Sequence, residues 1–320
     1  MNLKPEKLSL ATFPTPIHHC SNGVDIKLDS MSGCEMSGNK IRKLEFLLQD
    51  ALNKKSTIIL TTGGSGSNHC RATAVAAKRL GLKSLLLLRS TESESKKIDG
   101  NLFISTLVGA KIEFITRKEY QIRNELLAKR AKELEQEGEV PYIIPEGGSN
   151  ALGSWGYSSC FEEILKQREN LQMYNKIIVP TGSVGTVAGL VVGVNLSGTK
   201  NCEIIGVPVC DNSEYFSKRL ENVIQDFNQL YGTEVNTKCA RFVDGYIGEG
   251  YSVPYQPAME QIKILAQTEG IILDHCYTGK AWNALVSLIE KGELDPQSDK
   301  ILFIHTGGIF SVFPYKDLYL

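Results

Sequence analysis

The chain reads as an α/β protein with parallel sheets flanked by helices, and three observations predict that class. Short apolar, β-branched runs alternate with longer segments of helical spacing along most of the 320 residues, as parallel strands joined by right-handed crossovers require. Several short runs end in small-residue turns: Gly63-Gly64 after 57–62, Thr181-Gly182-Ser183 after 176–179, and Thr306-Gly307-Gly308 after 301–305. Ligands of open α/β sheets sit beyond the carboxyl ends of the strands, where helix N-termini bind anions. Composition agrees, since 42% hydrophobic and 22% charged residues describe a globular chain with length enough for a large core.

Taken in order, residues 1–36 open irregularly. Pro14-Thr15-Pro16 sets an extended segment, and 24–29 alternates like a half-buried strand. Ile41, Leu44, Leu48 and Leu52 recur at helical spacing and give a helix over 41–52 with one buried face. A strand at 57–62 and an alanine-rich helix at 68–81 follow. Strands at 84–88 and 111–116 bracket a helix at 100–109. One long charged helix is predicted over 118–137, with Gly138 placed to end it. A strand at 141–145 runs into Glu146-Gly147-Gly148, and the Gly-, Ser- and Asn-rich stretch 147–156 is read as a domain boundary. The second half repeats the scheme: strand 176–179, apolar helix 184–196, strand 203–209, helices 213–231 and 256–267, and strand 301–305. There is no fixed-period repeat and no low-complexity tract.

The net charge of −1 comes without a basic block, so electrostatics gives no reason to expect nucleic acid or a membrane surface. No apolar run reaches the length of a membrane span, and 1–12 lacks the apolar core of a signal peptide. The eight cysteines are scattered, with no Cys-x-x-Cys pair, which points to free thiols in a reducing cytosol. None of the five histidines has metal-ligand spacing to another, so no metal is expected. His18 and His19 are adjacent and fall on opposite sides of a strand.

Four stretches carry chemistry. In Ser37-Gly38-Asn39-Lys40 a turn and an N-cap precede the first helix, and Lys40, Arg42 and Lys43 crowd three cations into its first turn. That placement opposes the helix dipole and costs stability, and the same field favours the neutral amine that a nucleophilic lysine needs. A basic surface on an ordinary helix explains the pattern equally. In Gly66-Ser67-Asn68-His69-Cys70-Arg71, Ser67, Asn68 and the amides behind them face an anion at a helix start, or Ser67 simply caps an ordinary βα turn. Pro180 to Gly189 is a glycine-rich turn in which Ser183 and Thr186 add hydroxyls to a backbone able to wrap a phosphate. It is not a Walker A loop, because no lysine follows the glycines, and a tight packing turn is the alternative. His305-Thr306-Gly307-Gly308 alone says only that backbone approaches closely.

These stretches resemble, in order and from Pro14 to Gly308, the motifs of the D-cysteine desulfhydrase and 1-aminocyclopropane-1-carboxylate deaminase family. Ser37 to Glu45 is similar to its GGNKxRKLE signature, Ser67 to Arg71 to its Ser-Asn-His-x-Arg segment, and Glu146 to Gly153 to its inter-domain hinge. The resemblance implies the tryptophan synthase β-like fold (fold type II), with two sheets and pyridoxal 5′-phosphate in the cleft between domains. The small domain would be 44–152, and the large one 1–43 with 153–320. It implies Lys40 as the cofactor lysine and Asn68 at the cofactor's phenolic oxygen. Ser183, Val184, Gly185 and Thr186 would form the phosphate cup. Thr278 would lie near the pyridine nitrogen and Thr306 against the ring. Ser67, Asn68 and His69 would take the substrate carboxylate, with Ser67, Tyr251 and Tyr277 as further catalytic candidates. A homodimer acting on a small amino acid is implied as well.

The deaminase branch has Glu after the tyrosine and Leu before the glycine pair; this chain has Thr278 and Thr306, the types of the desulfhydrase branch. A carboxylate at the pyridine nitrogen deepens the electron sink. A lone hydroxyl cannot supply that charge, which suits α,β-elimination of thiolate better than opening a cyclopropane. D-cysteine or a close β-substituted alanine is therefore the expected substrate. L-cysteate, the cyclopropane, and cofactor binding without turnover are the alternatives. Gly66 departs from the family, which usually has glutamine there.

Overall fold

The structure, a computed structural model, describes residues 3–90, 98–168 and 171–320. Two sheets form. The larger has strand order β1-β2-β10-β7-β8-β9 and is built from β1 (Ile17–His19), β2 (Asp25–Leu28), β7 (Lys176–Thr181), β8 (Glu203–Pro208), β9 (Ala240–Phe242) and β10 (Ile301–His305). All its pairs are parallel except β1 with β2. The smaller, order β5-β4-β3-β6, is wholly parallel: β3 (Ile58–Gly64), β4 (Lys83–Arg89), β5 (Lys111–Ile115) and β6 (Pro141–Ile143). The expected two-sheet α/β class is what the chain adopts.

Period-two alternation places the helices of the smaller sheet. Ile59 faces a core with Ile41, Leu44 and Leu48 of α1 (Lys40–Asn53) and Ala72, Val75 and Ala76 of α2 (Asn68–Arg79). Ile58 and Leu60 face the opposite way, onto Leu127, Ala131 and Leu134. Leu86 and Leu88 meet Leu102 of α3 (Gly100–Leu107). The helix predicted over 118–137 is two, α4 (Arg117–Gln121) and α5 (Arg123–Gln136). The break falls at Ile122, whose φ of −105° and ψ of 26° leave the helical region. Thr116 caps α4 with a reciprocal Glu119 box, whereas α5 follows Ile122 with no side-chain cap.

Stretch 147–156 differs more. It opens α6 (Ala151–Gln167), capped by Asn150 accepting from the Gly153 amide at 2.8 Å. Glycine lowers helix propensity, but here it permits close packing. A Cβ at Gly156 would lie 2.6 Å from the Arg42 backbone in α1. One at Gly189 of α7 (Gly185–Ser197) would lie 2.4 Å from the Ser154 carbonyl. Helices α6 and α7 pack with α8 (Ser213–Tyr231) on one face of the larger sheet, where Trp155, Phe161, Val187, Val191 and Phe227 are buried. Helix α9 (Gln256–Glu269) and α10 (Thr278–Glu290) cover the other through Met259, Ile262, Trp282 and Leu285. Helix α10 and strand β9 have no counterpart in the sequence reading. All eight cysteines are free thiols, and no helix among the described residues is long and apolar enough to cross a membrane.

Candidate active site

The turn before α1 is locked to the turn after β10. Gly38 has φ +105°, and a Cβ there would lie 2.5 Å from the Thr306 carbonyl oxygen, so glycine is the residue that fits. The Asn39 amide donates to that same oxygen at 3.1 Å. Asn39 sits at the N-cap, but its side chain does not cap; it donates instead to Thr186 Oγ1 at 2.9 Å. Lys40 therefore leaves a turn fixed from two directions.

The three cations of that first turn have separate fates. Lys40 is partly exposed, and its amine has no hydrogen-bond or ion-pair partner among the described residues. The protein packed around it lowers its pKa to about 8, against the opposing pull of Glu146 and Cys70. Burial, rather than the helix dipole invoked from sequence, is the leading cause. Arg42 is buried and forms a fork on Asp29 (2.9 and 2.8 Å), with Glu163 accepting from Nη1 at 2.9 Å. Burial alone would raise the Asp29 carboxyl; the charge and hydrogen bonds of Arg42, with the Tyr157 hydroxyl and the Lys27 charge, together outweigh it and hold it below its usual range. Lys43 is fully buried and donates to the Gly147 carbonyl at 3.1 Å. Burial, then the Lys40 charge, drives its pKa down strongly.

At the N-terminus of α2, Ser67 is the N-cap and accepts from the Cys70 amide at 3.2 Å. Asn68 Oδ1 accepts from Asn101 Nδ2 at 3.0 Å. His69 is buried against Thr61, with Nε2 2.8 Å from Oγ1. Thr61 gives its proton to the Ile144 carbonyl, so Nε2–H of His69 donates and its unpartnered Nδ1 is the bare acceptor. Burial, then the charges of Lys40 and Lys43, keep the ring well below the usual histidine range.

The N-terminus of α7 forms a cradle. Ser183 Oγ is buried without a partner. Ser149 Oγ accepts from the Gly185 amide at 3.1 Å. A Cβ at Gly185 would meet Ser149 Oγ at 2.6 Å and Lys43 Nζ at 3.0 Å. The segment 183–186 thus brings an orphaned hydroxyl and helix-start amides beside the buried Lys43 amine, a donor set suited to a phosphate dianion. Sequence reading found the loop but not Lys43 or Ser149, although both lie within motifs it quoted.

Tyr251 and Tyr277 are half-buried and share a hydrogen bond between their hydroxyls, with rings 5.7 Å apart at 77°. Burial pushes both phenols well above their usual range. A Cβ at Gly182 would strike the Tyr277 ring at 2.7 Å, so that tyrosine packs on the phosphate-loop turn. Tyr251 helps to line a cleft of about 390 Å³ with Gly64, Ser65, Gly66, Cys276 and Ser311. Arg89 and Arg117 line it too, and Arg89 stands 5.6 Å from the Tyr251 ring centre; neither arginine stood out in the sequence. Thr278 is fully buried, and its hydroxyl donates to Asp274 Oδ2 at 2.7 Å. The lone neutral hydroxyl expected there has a buried carboxylate behind it.

Residues 8–307 match the family model described as "Pyridoxal-phosphate dependent enzyme". The chain belongs to that family. Within it, the relatives place the chain in the group of 1-aminocyclopropane-1-carboxylate deaminases and D-cysteine desulfhydrases. It is 39% identical over 315 residues to a putative 1-aminocyclopropane-1-carboxylate deaminase of Thermotoga maritima, covering 96% of this chain and 97% of that one. It is 38% identical over 330 residues to a mitochondrial bifunctional D-cysteine desulfhydrase/1-aminocyclopropane-1-carboxylate deaminase of Arabidopsis thaliana, covering 98% and 81%. The crystal structure of an ACC deaminase homologue superposes with a TM-score of 0.89 at 36% identity, covering 97% of this chain and 94% of that one. An L-serine ammonia-lyase from Rhizomucor miehei shares the fold, with a TM-score of 0.67 at 17% identity, covering 98% and 100%.

The chain's own residues fit the cofactor of this pyridoxal-phosphate enzyme family. A free lysine amine with a pKa of about 8 and a cradle with an orphaned hydroxyl are held in one unit by Asn39 and Thr186. A separate cluster has metal-ligand chemistry among the described residues: His18, Cys20 and Glu269. Both Glu269 oxygens are already engaged, one by Ser21 and the other by His18 Nε2 at 2.9 Å. It is a hydrogen-bonded pair beside a buried thiol.

Proposed function

We propose that this enzyme is a lyase acting on D-cysteine or a close β-substituted alanine, with pyruvate, ammonia and the β-substituent (sulfide from D-cysteine) as products. The observation that carries the reading is the pair Thr278 and Thr306, hydroxyl residues at the two positions where the deaminase branch has a carboxylate and an apolar wall. Pyridoxal phosphate, when bound, withdraws electrons from Cα so that its C–H bond breaks and the β-substituent leaves. The chain's own groups do the rest. Ser183, Gly185 and Thr186 hold the phosphate with Lys43 as its counter-charge, and Asn68 meets the phenolic oxygen. Ser67 and the α2 amides, with Asn68 and His69 behind them, hold the substrate carboxylate. Lys40 would hold the cofactor through its amine, and the same amine would take the Cα proton of the substrate. The Tyr251–Tyr277 pair orients substrate or passes a proton to the leaving group.

Asp274 favours a second reading. Its charge stands one residue behind Thr278, a weaker sink than a direct carboxylate and a stronger one than a lone hydroxyl, so ring opening of the cyclopropane is the competing reaction. Assays of purified holoprotein for sulfide and pyruvate from D- and L-cysteine, and for 2-oxobutyrate from the cyclopropane, decide between them. Sulfide from D-cysteine with negligible 2-oxobutyrate supports the elimination reading; 2-oxobutyrate without sulfide overturns it. Cofactor binding with neither product would make the protein a silent binder. We further read 44–152 as the small domain, 1–43 with 153–320 as the large one, and the working form as a cytoplasmic homodimer. A solution mass equal to one 35.3 kDa chain would refute the dimer.

A further inference from the structure

Asp274 is a buried carboxylate, 1% exposed, set between the two turns assigned to the cofactor ring. Its Oδ1 accepts from the amides of Cys276 (2.9 Å) and Tyr277 (2.7 Å), and Oδ2 accepts from the Thr278 amide (3.1 Å) and hydroxyl (2.7 Å). A Cβ at Gly308 would lie 2.5 Å from Oδ2, so the turn after β10 closes directly over the carboxylate. The turn that leads into α10, closed by the Asp274 side chain on the amides that follow it, accounts for the three amides. It does not account for the hydroxyl.

The neighbouring titratable groups leave this charge in place. Lys280, on the same helix, gives its ammonium to the carbonyls of Ile247 and Gly250, each at 2.7 Å. His305 accepts from the Gly307 amide at Nδ1 and faces the Ile272 carbonyl with Nε2, which fixes it as a neutral ring. His275 Nδ1 meets the Tyr319 hydroxyl at 2.9 Å. Burial pushes the Cys276 thiol up to about 12, and the Tyr319 phenol is raised likewise, so both are neutral.

The Thr278 hydroxyl is thereby spoken for. Its proton goes to Asp274 Oδ2, and its oxygen already accepts from the Asp274 amide at 2.8 Å. Any further partner of that oxygen has to be a donor. A ring nitrogen facing it must bring its own proton, and an unprotonated one would set lone pair against lone pair.

We infer that Asp274 is a positioning residue which, acting through the Thr278 hydroxyl, makes this wall of the site a charged acceptor that holds the cofactor's ring nitrogen protonated. The inference rests on the reading that puts Thr278 at that nitrogen. It gives the chain, by relay, part of the charge that a carboxylate in direct contact would supply.

The test loads the protein with cofactor labelled with ¹⁵N at the ring nitrogen and follows its ¹⁵N chemical shift with pH, without substrate. Wild type should give the protonated shift at neutral pH. Asp274→Asn keeps an oxygen for the caps and removes the charge; its titration midpoint should fall by about one pH unit or more, a tenfold change in protonation equilibrium. A titration equal to wild type overturns the inference. Thr278→Val separates the two readings. If it moves the shift while Asp274→Asn does not, Thr278 faces the nitrogen but no relay operates. If neither moves it, Thr278 is not at the nitrogen, and both readings fail. Should Asp274→Asn not fold, Asp274→Ser carries the comparison, since its hydroxyl oxygen still accepts from the amides ahead of α10 without the charge. A lowered midpoint supports the relay, and the wild-type midpoint overturns it.

Discussion

Asn39 Nδ2 donates a 2.9 Å hydrogen bond to Thr186 Oγ1 across 147 positions of sequence. The residue beside Lys40, the proposed cofactor lysine, is thus tied to the second residue of the helix that starts at the proposed phosphate cradle. Asn39→Ala should weaken pyridoxal-phosphate binding about five- to tenfold, the worth of one buried hydrogen bond near 1 kcal/mol. Thr186→Val should do the same, and the double change should cost little more than either alone. Fluorescence titration of the apoprotein measures all three. Fully additive losses would show that the bond does not couple the two segments.

Lys40, with a pKa lowered by burial to about 8, should set the pH dependence of cofactor loading. The neutral amine is the reacting form, so the loading rate should climb about tenfold between pH 7 and 9 and level off above pH 8. A rate still climbing tenfold per unit up to pH 10 would mean an ordinary lysine. Borohydride reduction and peptide mapping should put the label on Lys40, and Lys40→Ala should abolish turnover while keeping the fold.

Lys43 reaches the phosphate cradle from within the core, 3.0 Å from where a Gly185 Cβ would stand. Lys43→Met fills the same space without the charge. It should weaken pyridoxal-phosphate binding about 10- to 100-fold, the range for a charge-assisted bond of roughly 1.5–3 kcal/mol. Pyridoxal, which lacks the phosphate, should bind wild type and variant alike. An equal loss for both ligands would place the effect in packing.

The Asp29–Arg42 fork anchors the first turn of α1, and Tyr157 adds its hydroxyl to Asp29. Asp29→Asn leaves Glu163 as the charged partner of the buried guanidinium and should cost about 1.5–3 kcal/mol in chemical denaturation, the worth of a hydrogen bond to a charged group. Because the folded Asp29 pKa lies below the unfolded one, its stabilisation is full above the unfolded value near 3.8. It is lost as pH falls through the folded value. The variant should therefore lack the part of the wild-type acid transition that lies below pH 4. An unchanged acid limb would contradict this.

Thr278→Glu with Thr306→Leu installs the residue types of the deaminase branch. The new carboxylate would stand beside Asp274, and paired carboxylates share a proton, so the change should be made with and without Asp274→Asn. Sulfide release should fall in both, and 2-oxobutyrate production should rise more in the triple variant. Unaltered D-cysteine turnover would show that the two threonines do not set the reaction.

The sequence by itself determined the α/β class and the motifs along the chain, because hydrophobic period and glycine turns are local signals. It also showed Lys40 in an electrostatically strained turn. It did not show that α6 starts within 147–156, since Gly153 and Gly156 look like helix breakers until the Gly148 carbonyl and the Arg42 backbone lie against them. It read one helix over 118–137 because charge and spacing continue through Ile122, where the backbone leaves the helix. Tertiary structure alone decided what each cation does. Arg42 meets Asp29 and Glu163, Lys43 turns inward to Gly147 and the cradle, and Lys40 is left without a partner among the described residues, a division that depends on burial and, for Glu163 and Gly147, on partners more than a hundred residues away. The charge behind Thr278 was hidden for a related reason. Asp274 reads as an ordinary residue before a helix until folding brings Gly308 over it and takes it out of water.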